Sequence, residues 1–221
     1  MKEIIYYTCN THKDDIEQVC RKQLLKAGLP IVSVSLNKDI NFGNTKIVMN
    51  GKRSPEMMHK QVLAGLKASQ ANYVFLCESD VLYHPSHFDF RPPRKDTFFY
   101  NTNVWKIRYP DGFATWVDNC QQVSGVCADR ELAIAFYERR NSEIEEKGFD
   151  RCYEPHRRTG EIDDVWVSEY PNLCIRHDAN LTGSKWSLSD FNNRHFAIGW
   201  KTANEVAPWG NTKFEALLGV I

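Results

Sequence analysis

The sequence predicts an α/β protein: one domain over residues 1–221, with a mostly parallel central sheet, helices on both faces and an irregular C-terminal region. Three observations carry this expectation. Through residue 77, short apolar runs rich in β-branched and aromatic residues alternate with segments of helical period. Such alternation implies right-handed crossovers and a parallel sheet covered by helices. The 221 residues suffice for one sizeable core. Hydrophobic residues at 42% and charged residues at 25% match an ordinary globular chain and leave no reason to invoke disorder.

The elements follow in order. "EIIYYT" reads as a buried strand. In "HKDDIEQVCRKQLLKAG", Ile16, Val19, Cys20, Leu24 and Ala27 share one helical face, with Asp14 or Asp15 as cap and Gly28 and Pro30 as the stop. "IVSVSL" is a second strand, and "NKDINFGNTKIVMNGKR" reads as a Gly- and Asn-rich loop. Ser54-Pro55-Glu56 supplies a cap and a proline at the first helical position for "PEMMHKQVLAGLKAS". The strand "YVFLC" follows. Beyond it, "TFFYNTNVWKIRY" and "FATWV" read as strands separated by the turn Pro110-Asp111-Gly112. "ADRELAIAFYERRNSEIEEKG" reads as a helix, with Asp129 near its start and Gly148 at its end. From Arg151 onward the chain is polar and weakly periodic.

Composition narrows the function classes. The 28 basic residues balance 28 acidic ones, so bulk charge does not drive nucleic-acid binding. No apolar run approaches the ~20 residues of a membrane helix, and Met1-Lys2 passes almost directly into "IIYYT", which is unlike a signal peptide. The seven cysteines are odd in number and none is spaced as C-x-x-C, which argues against a zinc site and a secreted disulfide framework. The expected location is a reducing cytoplasm.

The stretch "YVFLCESDVLYHP" carries the functional reading. An apolar strand runs into Glu78-Ser79-Asp80. In an open parallel sheet, ligands bind beyond the carboxyl ends of the strands. Residues two apart on an extended segment face the same side, so both carboxylates can address one ligand. They repel unless a cation or donor lies between them. Mg²⁺ or Mn²⁺, which prefer oxygen ligands and substrate phosphates, would answer. The plainer alternative is a solvated strand end leading into a turn.

This stretch resembles the DXD-type metal motif of GT-A (Rossmann-like) glycosyltransferases of the large family-two-like group, with Glu in place of the usual first Asp. The resemblance implies a nucleotide-sugar-binding half over residues 1–96 and an acceptor-side half over 97–221. It implies a metal on Asp80, with His177 in "CIRHD" as a further ligand and His195 as its rival. Donor contacts are implied at Thr8, Asn10, Asn37, Asp39, Gln61 and Glu78; Gln61 could equally be an ordinary exposed helical residue. Ser124 and Gly125 in "QQVSGVCADREL" and Trp105 fall on the acceptor side. In "GEIDDVWV" the family carries an acid pair before a helix, one acid being the general base of inverting members. Asp164 and Asp163 are the candidates, with Glu161 in reserve, because an acceptor hydroxyl needs its proton removed. The alternative is a set of helix-start acids favoured by the macrodipole.

The resulting expectation is a metal-dependent glycosyltransferase moving a sugar from a nucleotide-sugar donor to a hydroxyl acceptor with inversion. The acceptor would be a glycan precursor or a hydroxymethylated DNA base. "RCYEPHRR", residues 151–158, would be a basic patch beside the acids or a solvated face. Two rivals stand beside this. A nucleotidyltransferase acting on a nucleoside triphosphate and a sugar phosphate also uses paired acids on a parallel sheet. Such enzymes usually carry a Gly-rich basic loop after the first strand, where this chain has "TCNTHKDD". A non-catalytic sugar- or nucleotide-binding module could stack ligands on Trp105, Trp116, Trp166 or Trp186.

Overall fold

In the computed structural model the chain is described over residues 1–11, 14–109, 112–117, 119–150, 162–177 and 197–209. The first half gives β1 (Lys2–Thr8), α1 (Asp14–Leu24), β2 (Ile31–Leu36), β3 (Thr45–Met49), α2 (Pro55–Ala68), β4 (Tyr73–Glu78) and the two-residue β5 (Val81–Leu82). The second gives β6 (Thr97–Asn101), β7 (Val104–Arg108), β8 (Phe113–Val117), β9 (Val126–Asp129), α3 (Arg130–Lys147), β10 (Ile162–Trp166), β11 (Asn172–Arg176) and β12 (Ala197–Thr202).

Two sheets result. The larger has the order β10-β6-β9-β4-β1-β2-β3, and within it only β9 runs against its neighbours. The smaller has the order β12-β8-β7-β11-β5 and is mixed. The expected α/β class and mostly parallel central sheet are therefore present. The larger sheet draws strands from both sides of residue 96.

Alternation along the strands sorts the core onto two faces. Ile5, Tyr7, Val74 and Leu76 pack with Val62 and Leu66 of α2 and with Ala133, Phe136 and Tyr137 of α3. Their neighbours Ile4, Tyr6, Phe75 and Cys77 pack on the opposite face with Leu24 of α1. This is the period of two expected for strands buried on both sides. Helix ends follow the sequence signals. Ser54 Oγ accepts from Met57 N, Asp129 caps α3 through Glu131 N and Leu132 N, and Gly28 sits in the left-handed region at φ 64.

Three expectations are corrected. The loop after β2 contains β3, a half-exposed edge strand whose polar face hid its periodicity. "IDDVW" is the edge strand β10 and not the start of a helix, because it pairs in parallel with β6. The C-terminal region is less irregular than expected, since β11 and β12 join the second sheet. No helix among the described residues is long and apolar enough to cross a membrane.

His87 joins the two sheets. It is fully buried among the rings of Phe75, Tyr83, Phe88 and Trp166. Its Nδ1 accepts from Asn101 Nδ2 on β6 at 2.9 Å and from Asn172 Nδ2 on β11 at 3.0 Å. Both partners are donors, so the ring is neutral with its proton on Nε2. Burial pushes its pKa down to about 3, and burial likewise pushes His59 on α2 down to about 4.

Two predictions arise from this packing. Between pH 6.5 and 3 the unfolded chain binds protons on these histidines that the folded chain refuses, so stability falls as pH falls through that window. Each group adds up to about 1.4 kcal/mol per pH unit. Urea midpoints at pH 7, 6 and 5 should decline, and His87→Gln should flatten the decline even while lowering stability at pH 7. Second, Gly65 faces the sheet so closely that an added Cβ would meet Ile5 Cγ2 at 2.5 Å and Val34 Cγ2 at 3.1 Å. Gly65→Ala should therefore lower the Tm, because overpacking costing about 1–3 kcal/mol exceeds a helix-propensity gain of about 1 kcal/mol.

Candidate functional site

The parallel register brings strand ends level. Tyr7 of β1 stands opposite Val34 of β2 and Glu78 of β4. Beyond these ends lies a cavity of about 400 Å³. It is lined by Tyr7 and Thr8 at the end of β1 with Cys9 just past it, and by Glu78 at the end of β4 with Ser79 and Asp80 just past it. Leu36, Arg53 just before α2, and Met57, Met58 and Gln61 of α2 wall one side. Lys106 of β7 and Cys174 and Arg176 of β11 wall the other, and residues 120–124 and Phe149 complete it.

The β4 end is held by specific bonds. Tyr7 Oη donates to Glu78 Oε1 at 3.1 Å. Tyr83 Oη accepts from Glu78 N at 3.0 Å and donates to Ser124 O at 2.9 Å, which locks the 123–125 turn against the strand end. Ile175 N donates to Asp80 O at 2.8 Å, so β11 fixes the Asp80 backbone. Asp80 is 7% exposed, and its Oδ2 lies 3.5 Å from Nε2 of the buried His177. Burial works against the Arg176 charge, but Cys174 and the carboxylates of Asp80 and Glu78 outweigh it and hold its pKa above the usual value. Burial pushes the Cys174 thiol up to about 11, so it stays protonated.

The structure brings together Thr8, Gln61, Glu78, Asp80 and Ser124 on the cavity, with His177 directly behind Asp80. Gln61 is a buried strap and not an exposed helical residue. Its Nε2 donates to Thr8 O at 2.9 Å and to Val34 O at 3.2 Å. Asn10, Asn37 and Asp39 do not line the cavity and make local bonds. Asn10 sits at φ 56 and donates Nδ2 to Leu36 O at 2.7 Å. Asn37 exchanges two bonds with Gly51, at 2.8 and 2.9 Å. Asp39 Oδ1 accepts from Asn41 N at 2.9 Å in a turn.

The remaining expectations fall elsewhere. Gly125 packs under β6, where an added Cβ would lie 3.2 Å from Asn101 O. Trp105 stands opposite Trp116 on the second sheet and packs with the cluster of Ile107 and Leu173; its neighbour Lys106 is the β7 residue on the cavity. Asp163 and Asp164 do not line the cavity. Asp164 is level with Phe99, Cys127 and then Phe75, well before the end of β4. Both acids are exposed. Asp164 pairs with Arg94 at 3.0 Å, and Asp163 accepts from Gln121 Nε2 at 2.9 Å. Glu161, His195, Trp186 and residues 151–158 lie outside the described residues.

Sequence reasoning missed Arg53, Lys106 and Arg176, which line the cavity from the segment before α2, from β7 and from β11. Only Arg176 had a local signal, its place beside His177.

No protein-family model matches the chain, and no curated protein sequence matches it. Among solved structures it is similar to the inositol-1-phosphate CTP transferase from T. maritima, at 14% identity over 100% of this chain and 96% of that one, with a TM-score of 0.47. It is also similar to the 4-diphosphocytidyl-2C-methyl-D-erythritol synthase from Anaerococcus prevotii, at 13% identity over 77% and 90%, TM-score 0.45. A nucleotidyl transferase from Methanothermobacter thermautotroptrophicus aligns at 10% identity over 62% and 76%, TM-score 0.39. These likenesses assign no activity to the chain. The resemblance to GT-A glycosyltransferases is corrected here: the three structures named are a CTP transferase, a diphosphocytidyl synthase and a nucleotidyl transferase. Glu78-Ser79-Asp80 is accordingly not read as a glycosyltransferase DXD motif.

The bonds at the β4 end generate one prediction. Tyr83→Phe leaves Glu78 N and Ser124 O without their shared partner, so unfolding free energy from urea titration should fall by about 1–3 kcal/mol.

Proposed function

We propose that the cavity binds a nucleoside triphosphate and transfers its nucleotidyl group to the phosphate of a small phosphorylated acceptor, such as a sugar or polyol phosphate. The observation that carries this reading is the charge arrangement: Asp80 just past the β4 end, Lys106 of β7 and Arg176 of β11 on the neighbouring strands, and Arg53 just before α2. Among the described residues, Glu78 and Asp80 are the acids on the cavity. A hydroxyl acceptor needs a carboxylate within hydrogen-bond reach to take its proton. A phosphate monoester is already anionic at neutral pH and needs no such base. The site is richer in cations than a proton abstraction requires, and that is what two phosphorylated substrates demand.

The residues fit a divalent cation. Asp80 offers a carboxylate with an imidazole 3.5 Å away. Among the described residues no three His, Cys, Asp or Glu side chains converge, so a cation would draw further ligands from substrate phosphates, as Mg²⁺ and Mn²⁺ commonly do. Held by Asp80, it would supply charge neutralisation on the triphosphate.

The chain's own residues would do the rest. Lys106 and Arg176 counter the charge of the departing pyrophosphate. Arg53, just ahead of α2, lines the same cavity on the β2 and α2 side. Leu36, Met57 and Met58 give an apolar wall at the other end, where a base would be sheltered from water. In the reaction, an acceptor phosphate oxygen bonds to the α-phosphorus. The bond from that phosphorus to the bridging oxygen breaks, and its electron pair leaves with pyrophosphate. The lack of a glycine in "TCNTHKDD" is offset in this arrangement by Arg53 before α2, Lys106 of β7 and Arg176 of β11.

The test is release of pyrophosphate from each of the four nucleoside triphosphates, with Mg²⁺ or Mn²⁺ and a panel of sugar and polyol phosphates. Acceptor-dependent release is expected, and Asp80→Asn should reduce kcat at least ~100-fold. Tight nucleotide binding with no release across the panel, or full activity in Asp80→Asn, would contradict the reading.

A further inference from the structure

The side-chain amide of Gln61 has one orientation. Its Nε2 lies 2.9 Å from Thr8 O and 3.2 Å from Val34 O. Both partners are carbonyl oxygens, which only accept, so both N–H groups of the amide are spent on them. Flipping the amide would set Oε1 against two acceptors and is excluded by the same bonds. What remains is Oε1, which accepts no hydrogen bond from the described residues. Gln61 is 3% exposed yet lines the cavity, and Oε1 is not among the sealed-off polar atoms, so this oxygen is an acceptor of fixed direction that stays accessible.

Its neighbours mark the end of the cavity it serves. Leu36, Met57 and Met58 lie on the β2 and α2 side, whereas Asp80, Lys106 and Arg176 lie on the β4 and β11 side. A triphosphate placed against the cations puts its base among the apolar residues and beside Gln61. Gly65, one turn further along α2, holds the helix close against Ile5 and Val34, so the amide cannot retreat.

We propose that Gln61 is a specificity residue that selects a nucleobase carrying an exocyclic amino group, with Oε1 accepting from that amino N–H. This rests on the nucleotidyl-transfer reading of the cavity. The physical basis is asymmetric. A ligand that offers an N–H to Oε1 satisfies it, while one that offers hydrogen or a carbonyl oxygen leaves a desolvated acceptor unpaired or opposed. Cytosine and adenine present such an amino group where uracil and guanine present a carbonyl, and guanine carries its amino group at a different ring position.

The experiment edits the ligand and leaves the protein intact. Dissociation constants are measured by calorimetry with Mg²⁺ for CTP, ATP, UTP and the analogues of CTP and ATP that lack only the amino group. CTP or ATP should bind about 10- to 100-fold tighter than its own des-amino analogue and than UTP. In Gln61→Leu that ratio should collapse toward one. Equal binding of an amino-bearing nucleotide and its des-amino analogue, or tighter binding of UTP, would overturn the assignment of Gln61 while leaving the nucleotide site standing. Failure of every nucleotide to bind would overturn the nucleotide site itself, and this assignment with it.

Discussion

Burying a carboxylate at the end of a central strand is costly, and much of this molecule answers that cost. Asp80 is nearly inaccessible where β4 gives out. An uncompensated charge there would be heavily penalised. The compensation comes from another sheet: β11 supplies Arg176, whose charge feels the Asp80 carboxylate, and leads directly into His177. The second sheet is thus tied to the first by electrostatics at the site as well as by packing beneath it. His87, bridging Asn101 and Asn172, ties the same two sheets through a neutral polar contact deeper in the core.

This constraint bears on chemistry. An acid pair at a strand end suits metal-assisted work on phosphates in more than one enzyme class, so its presence alone does not choose between them. The positions of the other acids discriminate. Asp163 and Asp164 sit on the exposed edge strand β10, engaged by Gln121 and Arg94, rather than over the β4 end. The cavity is instead ringed by cations.

Much of the frame was legible in the sequence, because the first half obeys local rules. Ser54-Pro55 starts a helix, Gly28 ends one, and apolar runs flanked by helical periods become parallel strands. The juxtaposition of Asp80 with His177 was also anticipated, through a family resemblance whose assignment of activity then proved wrong. The rest was hidden for physical reasons. β5 is two residues long and β3 is half exposed, so neither shows a period. β10 carries two acids, which look like helix-start residues until β6 pairs with them. Lys106 and Arg176 belong to no motif. Their meeting is a product of the β7–β11 pairing, which places Lys106 opposite Cys174 and has no local signature. Asn37 and Asp39 look like ligand residues in the sequence, but both serve the turns they occupy.

The central claim is that one divalent cation and one triphosphate share the space beside Asp80, Lys106 and Arg176. It is tested most directly by anomalous diffraction from crystals soaked with Mn²⁺ and a non-hydrolysable nucleoside triphosphate. The account predicts a manganese peak at the Asp80 carboxylate, with the phosphates running toward Lys106 and Arg176. A peak on any other residue, or a nucleotide seated outside this cavity, would contradict it.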